Sequence, residues 1–252
     1  MPYSGRFRSD GEVFSYEDDE YAPDSYASFI WALQRPFLEK CLLRQKSAVP
    51  SVRLLDFACG TGRVLSFVEG LVDESNGLDI SPEMVRIAAG KCRRSTFYIG
   101  NIIDDPQIIA GKYDVITLFR FLLNAEPELR MEVLRWLRSR MNERHGLLIA
   151  NMHGNAWSLR HPALCYHRWR MRDPSKKGNH QLLSEMTPRD VCRLFQAGGF
   201  EIVEQVGFGL LPQVVFRTPL RFFARWLDRT FACASLLKNV SIDLLFVCKP
   251  VP

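Results

Sequence analysis

The residues with chemistry in them come in a definite order along the chain. Asp56 sits inside an apolar run, Leu54-Leu55-Asp56-Phe57, and the chain then turns through Cys59-Gly60-Thr61-Gly62. Glycine has no Cβ, so a ligand can approach the backbone of such a turn closely. The N–H groups that open the following helix then point at that ligand. Asp79 lies 17 residues beyond Gly62. A carboxylate at the end of a second strand suits the two hydroxyls of a ribose, although a plain turn residue is the simpler reading. Arg120 and His153 each follow a later apolar run. Arg120 suits an anionic substrate group or a structural ion pair. His153 titrates near neutrality and can take a proton from a hydroxyl that is becoming a nucleophile, or it can be a packed structural histidine.

These residues need strands and helices to position them. Val52 to Phe57 is short and apolar, as a central parallel strand is. Arg63 to Gly70 continues as a helix, and Gly77-Leu78-Asp79-Ile80 closes a second strand. Ser81 is a good N-cap, Pro82 a good first helical residue and Glu83 an acid in the first turn. Phe97-Tyr98-Ile99, Tyr113 to Phe119 and Gly146 to Asn151 read as strands three to five, with an amphipathic helix from Pro127 to about Met141. Thr187-Pro188 opens another helix, which ends at Gly198-Gly199 before a strand from Phe200 to Val206. A last strand runs from Ile242 to Cys248. Towards the amino end, Tyr26, Phe29, Ile30 and Leu33 recur at helical spacing within about 21–44, with Pro23 and Pro36 as breaks. Residues 1–20 are polar and irregular, with acids at Glu17, Asp18, Asp19 and Glu20.

The bulk numbers bound the class. At 252 residues the chain fits one domain with insertions or with a small cap. Its 47% apolar and 24% charged residues are an ordinary globular balance, and no apolar run is long enough for a membrane span. Met1 to Asp10 has no apolar core of a signal peptide. The seven cysteines are odd in number and form no C-x-x-C, so a reducing cytoplasm is expected rather than disulfides or zinc. No cluster of His, Asp and Glu has ligand spacing, and no metal is expected. A net charge of +5 does not by itself suggest nucleic acid.

Two ligand classes compete for the glycine turn. A dinucleotide site reads G-x-G-x-x-G, but Leu65 stands at the third glycine position. The run Asp56-Phe57-Ala58-Cys59-Gly60-Thr61-Gly62 instead resembles motif I of the class I S-adenosylmethionine (SAM) dependent methyltransferases, with Ala58 where that family usually has glycine. Gly77 to Val85 resembles motif II. The resemblance covers roughly 50–150 well and 185–250 more loosely. It implies an α/β fold, a doubly wound, seven-stranded, mostly parallel sheet whose last strand is antiparallel. It implies SAM as cofactor and S-adenosylhomocysteine as product. The amino acid end of SAM would be held by Asp56, Ala58, Cys59, Gly60 and Gly62, with Tyr21 or Tyr26 reaching it from the N-terminal helices unless they simply pack. Asp79 would take the ribose, with Ile80 and Met84 beside it. Asn101, where the family usually has Asp, would meet adenine, and Ile102 would cover its face. Phe119 would close the pocket from the end of strand four. The amino-directed DNA enzymes carry Asn/Asp-Pro-Pro-aromatic at that strand end; this chain has Arg120-Phe121-Leu122, which argues against that substrate.

The expected organisation is a helical cap over 1–48 and a SAM-binding domain over 49–252. Insertions at 155–184 and 209–241 would build the substrate side. The first alternates basic and aromatic residues from Arg160 to Lys177 and suits a phosphate, a carboxylate or a nucleic-acid backbone, or is a solvated loop. The second carries Arg221, Arg225 and Arg229 at four-residue spacing against Leu220, Phe223, Leu227 and Phe231, with Phe222 and Trp226 flanking. Such a helix lies on an anionic membrane or, the favoured reading, packs on its own core or a dimer partner. The leading function is methylation of a small-molecule or glycan-like hydroxyl, with His153 as base and Arg120 for an anionic group. N-methylation, a lipid-linked or membrane-associated acceptor, and a non-catalytic nucleotide-binding module are the alternatives. No stable nucleic-acid partner is expected, and the chain would be a monomer or a homodimer.

Overall fold

The protein is described here by a computed structural model, which covers residues 22, 24–162, 165–166 and 185–251. Tyr21 and most of 155–184 lie outside the described residues. Seven strands form one sheet: β1 (Arg53–Phe57), β2 (Glu74–Asp79), β3 (Thr96–Ile99), β4 (Val115–Leu118), β5 (Leu147–Met152), β6 (Phe200–Phe208) and β7 (Asp243–Pro250). Their spatial order is β3-β2-β1-β4-β5-β7-β6. β1 pairs in parallel with both β2 and β4. The strand order therefore reverses between β1 and β4, and a crevice opens at their carboxyl ends. β7 runs antiparallel to β5 and β6, as expected. Its first residue, Asp243, pairs with Phe208 at the end of β6, and the next, Leu244, with Met152 at the end of β5. The start of β7 therefore belongs to the same edge as the carboxyl ends of its neighbours.

The apolar runs bury both sheet faces. Successive side chains of a strand point to opposite faces. Leu55, Ile116 and Leu148 join one core with helices α4 (Pro127–Arg140) and α5 (Pro188–Ala197). Leu54, Val115 and Ile149 join the other with α1 (Tyr26–Ala48) and α2 (Arg63–Val68). Helix α3 (Pro82–Lys91) begins as the sequence indicates, with the Ser81 hydroxyl accepting from the Met84 N–H. Helix α5 begins on a capping box between Thr187 and Asp190.

Two expectations change. Pro36 does not break the first helix, which runs unbroken from Tyr26 to Ala48. Proline removes one intrahelical bond and crowds the carbonyl four residues back. Here Pro36 and Ala32 are both exposed, so water can reach that carbonyl, while Phe37, Leu38, Cys41 and Leu42 anchor the next turns in the core. The second change concerns α6 (Arg221–Phe231). It does not pack its aromatic stripe on the protein. Ala224 and Asp228 face inward, whereas Phe222, Phe223 and Trp226 are more than half exposed. Ala224 is small enough for close approach, and the buried Asp228 carboxylate accepts the Leu210 N–H at 2.8 Å. That polar anchor fixes which side of the helix turns in. No helix among the described residues is long and apolar enough to cross a membrane.

Gly62 shows how tightly the β1–α2 turn is built. It sits at φ +75°, and a Cβ there would come 2.8 Å from the Ala88 Cβ of α3. Its lack of a side chain serves helix packing rather than a ligand. Gly62→Ala should cost about 2–4 kcal/mol, the sum of left-handed strain and overpacking. Chemical denaturation measures this, and a loss below the error of the fit would mean that α2 and α3 shift apart freely.

Candidate active site

The turn after β1 is built from backbone that most residues avoid. Ala58, Gly60 and Gly62 all have positive φ, at 54°, 53° and 75°. The Ala58 value explains why glycine is comfortable there: alanine in the left-handed region costs about 1–2 kcal/mol. Gly60 differs from Gly62, since a Cβ at Gly60 would meet no protein atom within 4 Å. Gly60 presents open backbone, and Gly62 is a packing glycine. The turn is held from β2: the Asp79 carboxylate accepts the Gly60 N–H at 2.8 Å with one oxygen and the Ser81 N–H at 3.0 Å with the other. The Cys59 N–H donates to the Leu78 carbonyl at 3.1 Å. The Ile80 N–H also donates to this carboxylate, which has about four acceptor sites in all. Cys59 is buried, and burial pushes its thiol well above the usual range, so it is a packing residue and not a nucleophile.

Asp56 lies one strand over and is 1% exposed. One of its oxygens accepts the Thr117 hydroxyl at 2.6 Å, joining β1 to β4 across the switch point. The other, Oδ2, is buried with no hydrogen-bond partner among the described residues. Burial raises its pKa to about 7 against the Thr117 hydrogen bond and the Arg63 charge, which lower it. An unsatisfied buried carboxylate oxygen is a place for a cation or a donor.

The remaining cofactor-side residues divide. Met84 is buried under the turn, and Ile80 is half-buried beside Asp79. Asn101 shapes its own loop, its amide accepting the Ile103 N–H at 3.1 Å and donating to Asp104 at 3.0 Å. Ile102 is buried in the main core, while Ile103 beside it is exposed. Phe119 is buried against Trp31 of α1, ring centroids 5.9 Å apart, on the opposite face from Ile102.

A cavity of about 370 Å³ opens at the carboxyl edge between β4, β5, β7 and the start of α1. Arg120 and His153, both anticipated, line it together with Arg63, Arg160 and Arg217. Arg120 takes φ 56°, a left-handed conformation unusual for a side chain of its size. Backbone strain of this kind persists where surrounding structure enforces it and is common at functional sites. His153 is 6% exposed, and neither ring nitrogen has a partner among the described residues. Burial first, then the charges of Arg120, Arg160 and Arg63, hold its pKa well below the ordinary value. It is a neutral imidazole at physiological pH.

Asp243 also lines the cavity, and the motif reading did not select it. Its carboxylate accepts from Asn151 at 2.9 Å and from Gln34 at 3.4 Å. Burial raises its pKa, opposed by the Asn151 hydrogen bond and then by the charges of Arg120, Arg160 and Arg63. The signal was present: an acid at the start of a strand expected to be antiparallel must lie at the edge where the other strands end. Tyr26, read as a SAM contact or a packing residue, packs and also faces the cavity. It lines the cavity and packs edge-on against Phe216 at 4.9 Å.

The sheet order, the clamped glycine turn and the crevice at the switch point define a class I methyltransferase fold. A family model for the methyltransferase domain matches residues 26–205, more than half of the chain. The chain belongs to that family and is a SAM-dependent methyltransferase. The fold is similar to that of magnesium protoporphyrin IX methyltransferase from Synechocystis with bound S-adenosylhomocysteine, at 15% identity and a TM-score of 0.62, covering 96% of this chain and 95% of that one. A Haloferax volcanii methyltransferase solved with the Trm112 activator gives 16% identity and a TM-score of 0.58, with 99% and 98% covered. A SAM-dependent methyltransferase from Clostridium acetobutylicum gives 12% identity and a TM-score of 0.58, with 95% and 98% covered. At such identities these likenesses speak to fold. No curated protein sequence matches the chain.

Asp56 makes a pH prediction. Its folded pKa of about 7 lies above its ordinary value of about 4. Its contribution to stability is therefore complete below about pH 4 and is lost as pH rises through about 7. Asp79, Asp228 and Asp243 shift the same way and His153 the opposite way, so the Asp56→Asn difference isolates the term. Denaturation of the SAM-free protein between about pH 4 and 7 should show wild-type stability falling relative to that of Asp56→Asn as pH rises. Parallel curves would refute the assignment.

Proposed function

We propose that this protein transfers the methyl group of SAM to a hydroxyl of a small acceptor that also carries an anionic group. The observation that carries this reading is the cavity at the sheet edge. Four arginines, Arg63, Arg120, Arg160 and Arg217, line it around a neutral His153 whose ring nitrogens have no partner among the described residues.

The residues present fit the donor. Gly60 leaves its backbone open, and the unpartnered Asp56 Oδ2 suits the ammonium of the amino acid end. The Asp79 carboxylate keeps an acceptor site for a ribose. When bound, SAM supplies a methyl already activated on a sulfonium, so alignment and proton handling are what is left for the protein.

The acceptor side follows from charge. Carboxylates and phosphates pair with guanidinium groups at twice the strength of neutral hydrogen bonds. An acceptor anion held by Arg120 and Arg160 would place its hydroxyl against His153. The hydroxyl donates its hydrogen bond to a ring nitrogen. With the methyl leaving the sulfonium for the oxygen and S-adenosylhomocysteine as the other product, the O–H proton would pass to that nitrogen and later return to solvent through the cavity mouth. The depressed pKa makes His153 a weak base, but one that is unprotonated at every physiological pH. The charges that depress it also stabilise an alkoxide developing beside it.

Asp243 supports a second reading. A buried carboxylate in the same cavity can hold an ammonium, which would make the acceptor an amine. Labelled SAM with a panel of small molecules separates the two. Anionic hydroxy compounds should become labelled; label appearing only in amines would replace O-methylation with N-methylation, and label in neither class would overturn both.

With an acceptor in hand, His153→Ala should lower kcat by about 10²–10⁴-fold and leave the Kd for SAM within error. Turnover near wild type across the pH range would remove the base role. Arg160→Gln should raise KM for the acceptor about tenfold or more with little change in kcat, the loss of one charge-assisted contact.

A further inference from the structure

The segment from Gln213 to Phe231 exposes apolar and basic side chains together. Val214, Leu220, Phe222, Phe223 and Trp226 are 64%, 61%, 68%, 57% and 57% exposed. Monomeric proteins rarely leave such a patch contiguous without a use. The Phe223 and Trp226 rings stack at 5.8 Å, and the Arg221 guanidinium lies 4.8 Å over the Phe222 ring. Arg217, Arg221, Arg225 and Arg229 run along the same 3₁₀ turn and helix. The helix has one acid, Asp228, and that acid is buried and bound to the Leu210 N–H, so it contributes no negative charge to the outer face. Asp24 lies 3.8 Å from Arg225 at the side.

The inward side of the helix explains the outward one. Ala224 and Asp228 hold it to the fold, so the aromatics are not displaced core residues waiting for a slot. Aromatic rings between arginines suit a lipid interface. The rings enter the headgroup–acyl boundary, and the guanidinium groups remain with the phosphates. Cation–π stacking keeps the charges beside the rings without sequestering them. The cavity opens at the same place, since Gln213 and Arg217 line it.

We propose that this face docks the protein on an anionic lipid bilayer, with the rings of Phe222, Phe223 and Trp226 inserted at the interface and Arg221 on lipid phosphates. Docking sets the mouth of the cavity against the membrane surface. The proposal stands whether or not the acceptor is itself a lipid, and it does not depend on the methylated atom.

Sedimentation of the full chain with vesicles tests it. Wild type should pellet with phosphatidylcholine–phosphatidylglycerol vesicles, release at high salt, and stay in solution with phosphatidylcholine alone. The triple variant Phe222→Ser, Phe223→Ser, Trp226→Ser should lose about tenfold or more of the partitioning. Arg221→Gln should lose about fivefold at low salt, one basic residue's share. All of these side chains are exposed, so the variants should fold, and circular dichroism and SAM affinity verify that. No retention of wild type would overturn the proposal, and so would retention that the triple variant keeps. Light scattering that shows a wild-type dimer and a monomeric triple variant would assign the face to a second copy of the chain and overturn the lipid reading.

Discussion

The hydrogen bond from the Gly60 N–H to Asp79 is the interaction on which the donor half of the site depends. Together with the Cys59 N–H on the Leu78 carbonyl, it ties the loop after β1 to the end of β2. A turn with three positive-φ residues in five would not hold one shape by propensity. The carboxylate over-determines it by taking N–H groups from both sides, Gly60 and Ser81. Charge-assisted bonds to backbone donors are about twice as strong as neutral ones, which suits a clamp with strain to offset. Everything that a ligand meets on this side follows: the open face of Gly60, the direction of α2, and the depth at which Asp56 is buried.

The acceptor half is governed by a different constraint, which is the cost of gathering charge at the start of a helix. The start of α1 lies at the cavity with Asp243, His153, Arg63, Arg120 and Arg160, and the buried Asp56 is close enough to feel the Arg63 charge. Isolated charges in such a place would be prohibitive. The arrangement is tolerable because the signs are interleaved and the Asp243 carboxylate is satisfied by Asn151 and Gln34. His153 gives way by staying neutral. The result is a cavity lined by four arginines and one buried carboxylate, with a neutral imidazole at its wall.

Much of the fold was legible because strand patterns are local. Val52 to Phe57, Tyr113 to Phe119 and Gly146 to Asn151 announce buried strands, and Ser81-Pro82 and Thr187-Pro188 announce helix starts. The turn that Asp79 clamps was legible for the same reason: Asp56, Gly60 and Asp79 lie within one β–α–β unit at fixed spacing. Arg120 and His153 could be placed because each directly follows a strand. What stayed hidden depends on contacts distant in sequence. Gln34 reaches Asp243 across 209 positions, and no pattern within α1 distinguishes that glutamine from a surface one. Gly60 and Gly62 look alike in sequence, and only Ala88 of α3 tells them apart. Pro36 was misread because its effect depends on whether the carbonyl it orphans faces water. The inward side of α6 was misread because hydrophobicity suggested the aromatic stripe, whereas a buried carboxylate bound to the Leu210 N–H decided it.

That last case links the two unusual parts of the chain. The stretch that leaves β6 makes a left-handed turn at Gly209, where a Cβ would run into the Tyr26 ring system, and then passes the mouth of the cavity. Tyr26 packs on Phe216, and Phe29 lies under the guanidinium groups of Arg225 and Arg229. So the start of α1 touches both the cavity and the basic helix. Arg217 belongs to the cavity lining and to the same 3₁₀ turn that leads into the exposed aromatics. The same ring contacts therefore join the start of α1, the stretch at the cavity mouth and the basic helix. One segment thus contributes both to the cavity lining, through Gln213 and Arg217, and to the exposed face, through Phe222, Phe223 and Trp226.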